Sequence, residues 1–441
     1  MFSTLQTGHL PLARRRLRAS LAAGVMLSLY AHADSVPVYT EYSALTAGSL
    51  TRGEFGTSLA VIDDKLFVGA PAADFSSRSS GDGGGGGGGG TINDSGAVSR
   101  WERAANGKFA EVGSAAILPP PVVGGRFGTA LDSFGDRLAV TQSSPSMLRI
   151  YQISAGATLE AQLFPLAMGT QGSSPMVSTT LFASHAAVGV VRNFDDSGSV
   201  EIYTRVGGQW SSSYSIASPN PGVPGIGFGY SISMSEDSLF VGIPYFTTVN
   251  GQTLPGAVYE YQRPVAGPVW NLRGQFSLPA DLPAAQPARY GISVDVKGSL
   301  LVVGAPQLAT SAGGDQVGGV FIYQYDPAVD AWTLRQRLIN PDLEDGAEFG
   351  FAVATNGSDV LVGAPRSNFF EGQAFLYART GNDQWSLTQR MVRTATGSHR
   401  FGAEVALTSD KSSIISAPQF TAFRGAAYEF LPERFLIDGF E

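Results

Sequence analysis

Apolar and polar positions alternate along most of this chain in short runs, punctuated by small residues and turn formers. From Phe55 to Pro71 it reads FGTSLAVIDDKLFVGAP, and from Phe349 to Pro365 FGFAVATNGSDVLVGAP. Each stretch holds two period-two segments around a polar turn, the pattern of a β-hairpin. The closing proline cannot donate to a ladder and ends the second strand. The frame returns as FGYSISMSEDSLFVGIP (228–244), YGISVDVKGSLLVVGAP (290–306) and, one residue longer, FGAEVALTSDKSSIISAP (401–418). FGTALDSFGDRLAVTQS (127–143) has lost the GAP end, and PMVSTTLFASHAAVGVV (175–191) keeps only the apolar frame. The frame therefore occurs seven times.

A third strand is predicted after each loop that follows a hairpin, as in GAVSRW at Gly96, GAVYEY at Gly256 and GGVFIY at Gly318. A fourth opens near an aromatic residue: Phe109, Trp210, Trp270, Trp332 or Trp385. One repeat is thus a four-stranded antiparallel meander, which cannot bury both faces alone; seven arranged radially cover one another. The expected fold class is all-β, a seven-bladed β-propeller of four-stranded antiparallel blades. The last copy leaves little chain for an outer strand. VPVYTEYSAL (36–45) stands before the first copy, where an outer strand stands before every other. It is predicted to pair with the last blade and close the ring, which removes an open edge.

FG…GAP followed by GAVYEY resembles the FG-GAP repeat of integrin α-subunit propellers and of many exported bacterial proteins. The resemblance covers roughly residues 36–430 and implies an extracellular recognition module, often in adhesion. The chain departs from integrins in one respect. Their hairpins carry Asp-x-Asp-x-Asp-Gly calcium loops, and calcium needs six to eight oxygen ligands. Here the densest turn is Asp63-Asp64, whose neighbouring side chains diverge. No calcium, other metal or cofactor is expected.

Composition sharpens the picture. Only 15% of residues are charged, Gly numbers 55, and there is no Cys. That composition favours β over helical architecture and stabilisation by a core rather than by disulfides. Arg14, Arg15, Arg16 and Arg18 precede an apolar run from Ala19 to Tyr30 and then Ala31-His32-Ala33. This is the order of a secretory signal peptide, residues 1–33, cleaved between Ala33 and Asp34. The run is shorter than the ~20 residues of a spanning helix. The expected organisation is a propeller over 34–430, with a Gly-rich insertion at 76–95, and a short tail over 431–441. The expected location is periplasmic, outer-surface or secreted. Asp and Glu number 37 against 29 Lys and Arg, and the first 33 residues hold four of those arginines and no acid. The acidic remainder repels nucleic acid and anionic membranes.

Strand direction places FG, GAP and the loops after GAP on one rim, with the tight turns on the other. Longer loops are the better carriers of recognition. Those after GAP hold Asp74 and Phe75; Phe194, Asp195 and Asp196; Tyr245 and Phe246; Arg366, Phe369 and Phe370; and Phe420, Phe423 and Arg424. Aromatic faces beside polar groups suit a glycan or an extracellular protein. The same aromatics could instead plug the channel mouth or pack between blades. The run Gly83–Gly90 lacks the GK[ST] of a phosphate loop and reads as a surface insertion. Catalysis finds little in the pattern. After residue 33 the only histidines are His185 and His399, in different repeats, and no nucleophile elbow occurs. The sequence reading is a binding or adhesion module rather than an enzyme. A hydrolase or lyase with acids at the channel, and a structural envelope component, are the alternatives.

Overall fold

In a computed structural model, residues 38–39, 43–46, 53–76 and 91–431 are described, apart from 113–116, 155, 167–175, 192–196, 222, 224–225, 245–246, 250–251, 283–287, 312–313, 382, 395–396 and 420–423. The cleavage site at Ala33 and Asp34, and the tail after residue 431, lie outside them.

The described chain forms seven antiparallel blades, each of four strands meandering from the innermost outward. Blade 1 is 59–62, 65–70, 97–103 and 109–111, and blade 5 is 294–297, 300–305, 319–326 and 331–339. Innermost strands from all seven blades line one central channel. Among the described residues only Ser367–Phe370 is helical, a single turn. Pairing puts the first hairpin turn of blades 1, 3 and 5 at Asp63-Asp64, Ala183-Ser184 and Gly298-Ser299. Phe182 pairs with His185, and Lys297 with Leu300. Loops of blades 1 and 4 form two-stranded ribbons, 75–76 with 91–92 and 247–249 with 252–254.

The repeated phrase is a staple between blades. Each FG glycine has positive φ, 91° at Gly350, and those at 128, 229, 291, 350 and 402 place their carbonyls against the second-strand glycine of the preceding blade, whereas Gly56 meets Ser416. A Cβ on Gly304 would lie 2.0 Å from the Gly350 oxygen, so only glycine fits there. The aromatic of FG is fully buried: Phe55, Phe127, Phe228, Tyr290, Phe349 and Phe401. It pairs by a parallel bridge with the glycine that opens the preceding third strand, as in Gly318 with Phe349. Gly425 makes the same bridge to Phe55 and joins the last blade to the first.

Residues 43–45 supply the outer strand of blade 7, antiparallel to 427–429. Leu45 is buried there, and Ser43 Oγ donates to Glu429 at 3.2 Å. Arg103 of blade 1 reaches across to Glu429 at 2.5 Å and to Ser412 at 2.9 Å. Burial raises the Glu429 carboxyl, and Arg103 opposes the shift. One pairing is not foreshadowed by the repeat pattern. Val38–Tyr39 runs parallel to Arg390–Met391, adding a fifth strand to blade 6.

Candidate functional site

On the rim that carries FG and GAP, the chain takes a left-handed turn after Pro365. Asn368, Phe369 and Phe370 all have left-handed φ, 51°, 57° and 70°. For a β-carbon-bearing residue this costs about 1–2 kcal/mol. The run holds Phe369 90% exposed and Phe370 45% exposed. It is pinned from several sides. Asn368 N–H donates to Glu344 at 2.7 Å, and the Phe370 carbonyl accepts the amides of His399 and Arg400. The Arg366 guanidinium lies 5.3 Å from the Phe370 ring centre and 3.4 Å from Glu348. Glu348 also faces Arg400 at 3.4 Å. Arg366, Phe369 and Phe370 therefore share one patch. Glu348 and Arg400, which the loop-based reading passed over, complete it.

The remaining candidates lie elsewhere. Asp74 accepts the Asp94 amide at 3.0 Å, a tie within its own loop. Phe75 opens the small ribbon of blade 1. Arg424 is exposed, and its carbonyl accepts Phe55 N–H at 3.1 Å. Phe194, Asp195, Asp196, Tyr245, Phe246, Phe420 and Phe423 lie outside the described residues.

The channel has two connected parts. Toward the tight turns is a cavity of about 300 Å³; toward the FG rim is one of about 470 Å³. An innermost strand has a free edge whose N–H groups face this space and need partners. In blades 2 to 5 the residue five places after the start of the repeated frame supplies them to the next blade. Asp132 accepts Leu181 N–H at 2.7 Å, and Thr180 accepts Met234 N–H at 3.1 Å. Ser233 accepts Val296 N–H at 3.1 Å, and Asp295 accepts Thr355 N–H at 2.7 Å. Ala60, Ala354 and Ala406 hold the equivalent places in blades 1, 6 and 7 and offer no such cap.

Two residues earlier, the repeat has a serine that donates to the FG glycine carbonyl of the next blade. The pairs are Ser58 to Gly128, Ser178 to Gly229, Ser231 to Gly291 and Ser293 to Gly350, at 2.7–3.0 Å. Blade 7 has Glu404 at this position, bordering both cavities. Burial, and then the field of Asp295, push its carboxyl up to about 8. Burial pushes Asp132 up to about 6 and also raises Asp295, while their backbone donors pull both down. Solvent reaches all three acids only through the channel. The surrounding sheets therefore dominate their electrostatics.

Residues 332–377 match the family model for the FG-GAP repeat. They run from the outer strand of blade 5 through the third strand of blade 6, and so across one blade junction.

The chain is a seven-bladed β-propeller that carries an FG-GAP repeat at 332–377.

No curated protein matches the sequence. Among solved structures, a Lactobacillus plantarum protein aligns at 13% identity and TM-score 0.45, over 76% of this propeller and 84% of that chain. A Bacteroides uniformis protein named as a candidate 6-phosphogluconolactonase aligns at 10% identity and TM-score 0.48, over 79% and 88%. Saccharomyces cerevisiae Sqt1 aligns at 12% identity and TM-score 0.44, over 90% and 100%. Among the described residues of the FG-GAP propeller, no helix is long and apolar enough to cross a membrane. No group of three or more His, Asp or Glu among them could hold a metal ion.

Proposed function

We propose that this FG-GAP propeller is an exported binding module, and that its FG-side rim takes a surface glycan or an extracellular protein. The observation that carries the reading is the left-handed run at 368–370. It presents Phe369 to solvent beside Arg366, held in that strained backbone by bonds to Glu344, His399 and Arg400. Strain held in a rigid scaffold is characteristic of recognition sites. An exposed aromatic flanked by a guanidinium can stack on a sugar face or fill a pocket in a partner protein. The test is a glycan array and a pull-down with the full chain and with F369A/F370A. The reading predicts capture by the full chain and its loss in the variant. Equal capture by a folded F369A/F370A would defeat it.

The hydrolase or lyase reading keeps one observation in its favour. Glu404 is a carboxyl held protonated near neutral pH at the channel, as a general acid requires. Asp132 and Asp295 are occupied by backbone donors and are less suited to the second role. Turnover of a glycan substrate that disappears in E404Q would favour that reading.

A further inference from the structure

The sevenfold frame makes departures from it conspicuous, and blade 7 departs at one end of the channel, where Glu404 lies near an Arg400 that has counterparts in Arg126 and Arg289. Glu404 replaces the inter-blade serine, and no hydrogen bond to its carboxyl occurs among the described residues. Arg400 occupies the position before the FG aromatic and lines the same 470 Å³ cavity. Its guanidinium lies 5.1 Å from the Phe351 ring centre. Its Nε is buried with no hydrogen-bond partner, and its contact with Glu348 is long at 3.4 Å. An unmatched buried donor beside an unmatched carboxyl calls for a third party. Tyr230 and Phe351, at equivalent positions in blades 4 and 6, add aromatic rings to the wall.

We infer that this FG-side channel mouth binds a small hydroxylated carboxylate, a hexuronic acid residue, with Arg400 taking the carboxylate and Glu404 a ring hydroxyl. The planar fork of Arg suits a carboxylate. The rings of Tyr230 and Phe351 suit the apolar face of a pyranose. The volume lies within the range of small-ligand pockets. The charged groups around Glu404 along the channel are Asp132, Asp295, Lys297 and Arg400. With Glu404 protonated, the mouth carries Arg400 as its cation. Once Glu404 ionises, the acid opposes an anionic ligand.

The site adjoins the Phe369 rim through Arg400, which faces Glu348, and its test is separable because the rim phenylalanines do not line the cavity. The full chain is titrated with glucuronate and with glucose by calorimetry or ligand-observed NMR. Glucuronate should bind at least about tenfold more tightly than glucose, and R400Q should remove that preference. Affinity for glucuronate should fall as pH rises through about 8, and E404Q should flatten that dependence. F369A/F370A should leave glucuronate affinity within about twofold, because neither phenylalanine lines the 470 Å³ cavity. Equal affinity for the two sugars, no binding of glucuronate, or an unchanged pH profile in E404Q would overturn the assignment. The comparison of two sugars on the unmodified chain needs no variant to fold.

Discussion

The Phe370 carbonyl accepts the amide N–H of Arg400 at 3.1 Å. This bond ties the exposed turn of blade 6 to the residue that enters blade 7 at the channel mouth. Surface display and channel chemistry thus meet at one blade junction.

Relieving the strain of that turn should separate stability from recognition. Phe369→Gly accommodates φ 57° without a Cβ penalty. The melting temperature should stay level or rise, by an amount equivalent to about 1 kcal/mol. Capture of a rim ligand should be lost. A scan of thermal unfolding beside the pull-down checks both.

The staple between blades tolerates no side chain. Gly304→Ala places a Cβ about 2.0 Å from the Gly350 oxygen and 2.2 Å from Ser293 Oγ. Blades 5 and 6 must part to admit it, and a loss above about 3 kcal/mol is expected. Gly135→Ala, at an open turn with no atom within 4 Å, should cost far less despite φ 58°. Denaturation midpoints of the two variants provide the comparison.

Asp132 tests the channel cap. Asp132→Ala leaves the Leu181 amide without its acceptor and should cost about 1–3 kcal/mol. Asp132→Asn keeps an acceptor oxygen and removes a buried charge. It should match or exceed the parent in stability at pH 8, above the parent's folded-state value of about 6. Stability curves for the two variants at that pH decide the point.

Glu404 makes stability depend on pH with a definite sign. Its folded value is about 8 and its ordinary value 4.5, so the native state holds the proton where the unfolded chain has released it. Stability from this group is therefore greatest below about 4.5, declines through the interval, and reaches its minimum above about 8. E404Q should narrow the gap between melting temperatures measured at pH 5 and pH 9. An unaltered gap would show that Glu404 ionises freely in the fold.

Ring closure depends on the N-terminal segment. Leu45→Ala empties a buried position in the outer strand of blade 7 and should cost about 2–4 kcal/mol. Deleting 34–46 should lower the melting temperature further, because it also removes the Ser43 bond to Glu429 and the Val38–Tyr39 pairing. Differential scanning calorimetry of both forms measures this; an unchanged melt would refute the closure.

Blade number, strand order and the N-terminal closure were all readable from local pattern. Period-two alternation, glycine at forced φ and proline at strand ends act within a few residues, and a sevenfold repeat states them seven times. The exposed aromatics at 369 and 370 were also visible as residues, but their left-handed backbone was not. The channel acids were missed for a different reason. Asp132, Asp295 and Glu404 sit singly in three repeats 163 and 109 residues apart by number, and none forms a motif. The available signal was register: aligned on the FG aromatic, they occupy its third and fifth following positions, where the other copies have Ser, Thr or Ala.

Sequence alone determined which faces must be covered and where each strand must stop, because sterics and hydrophobic alternation are local. Tertiary structure decided which charges share the axis. Convergence on a channel depends on how seven wedges turn about it, and only that rotation brings Asp295 within the field of both Asp132 and Glu404.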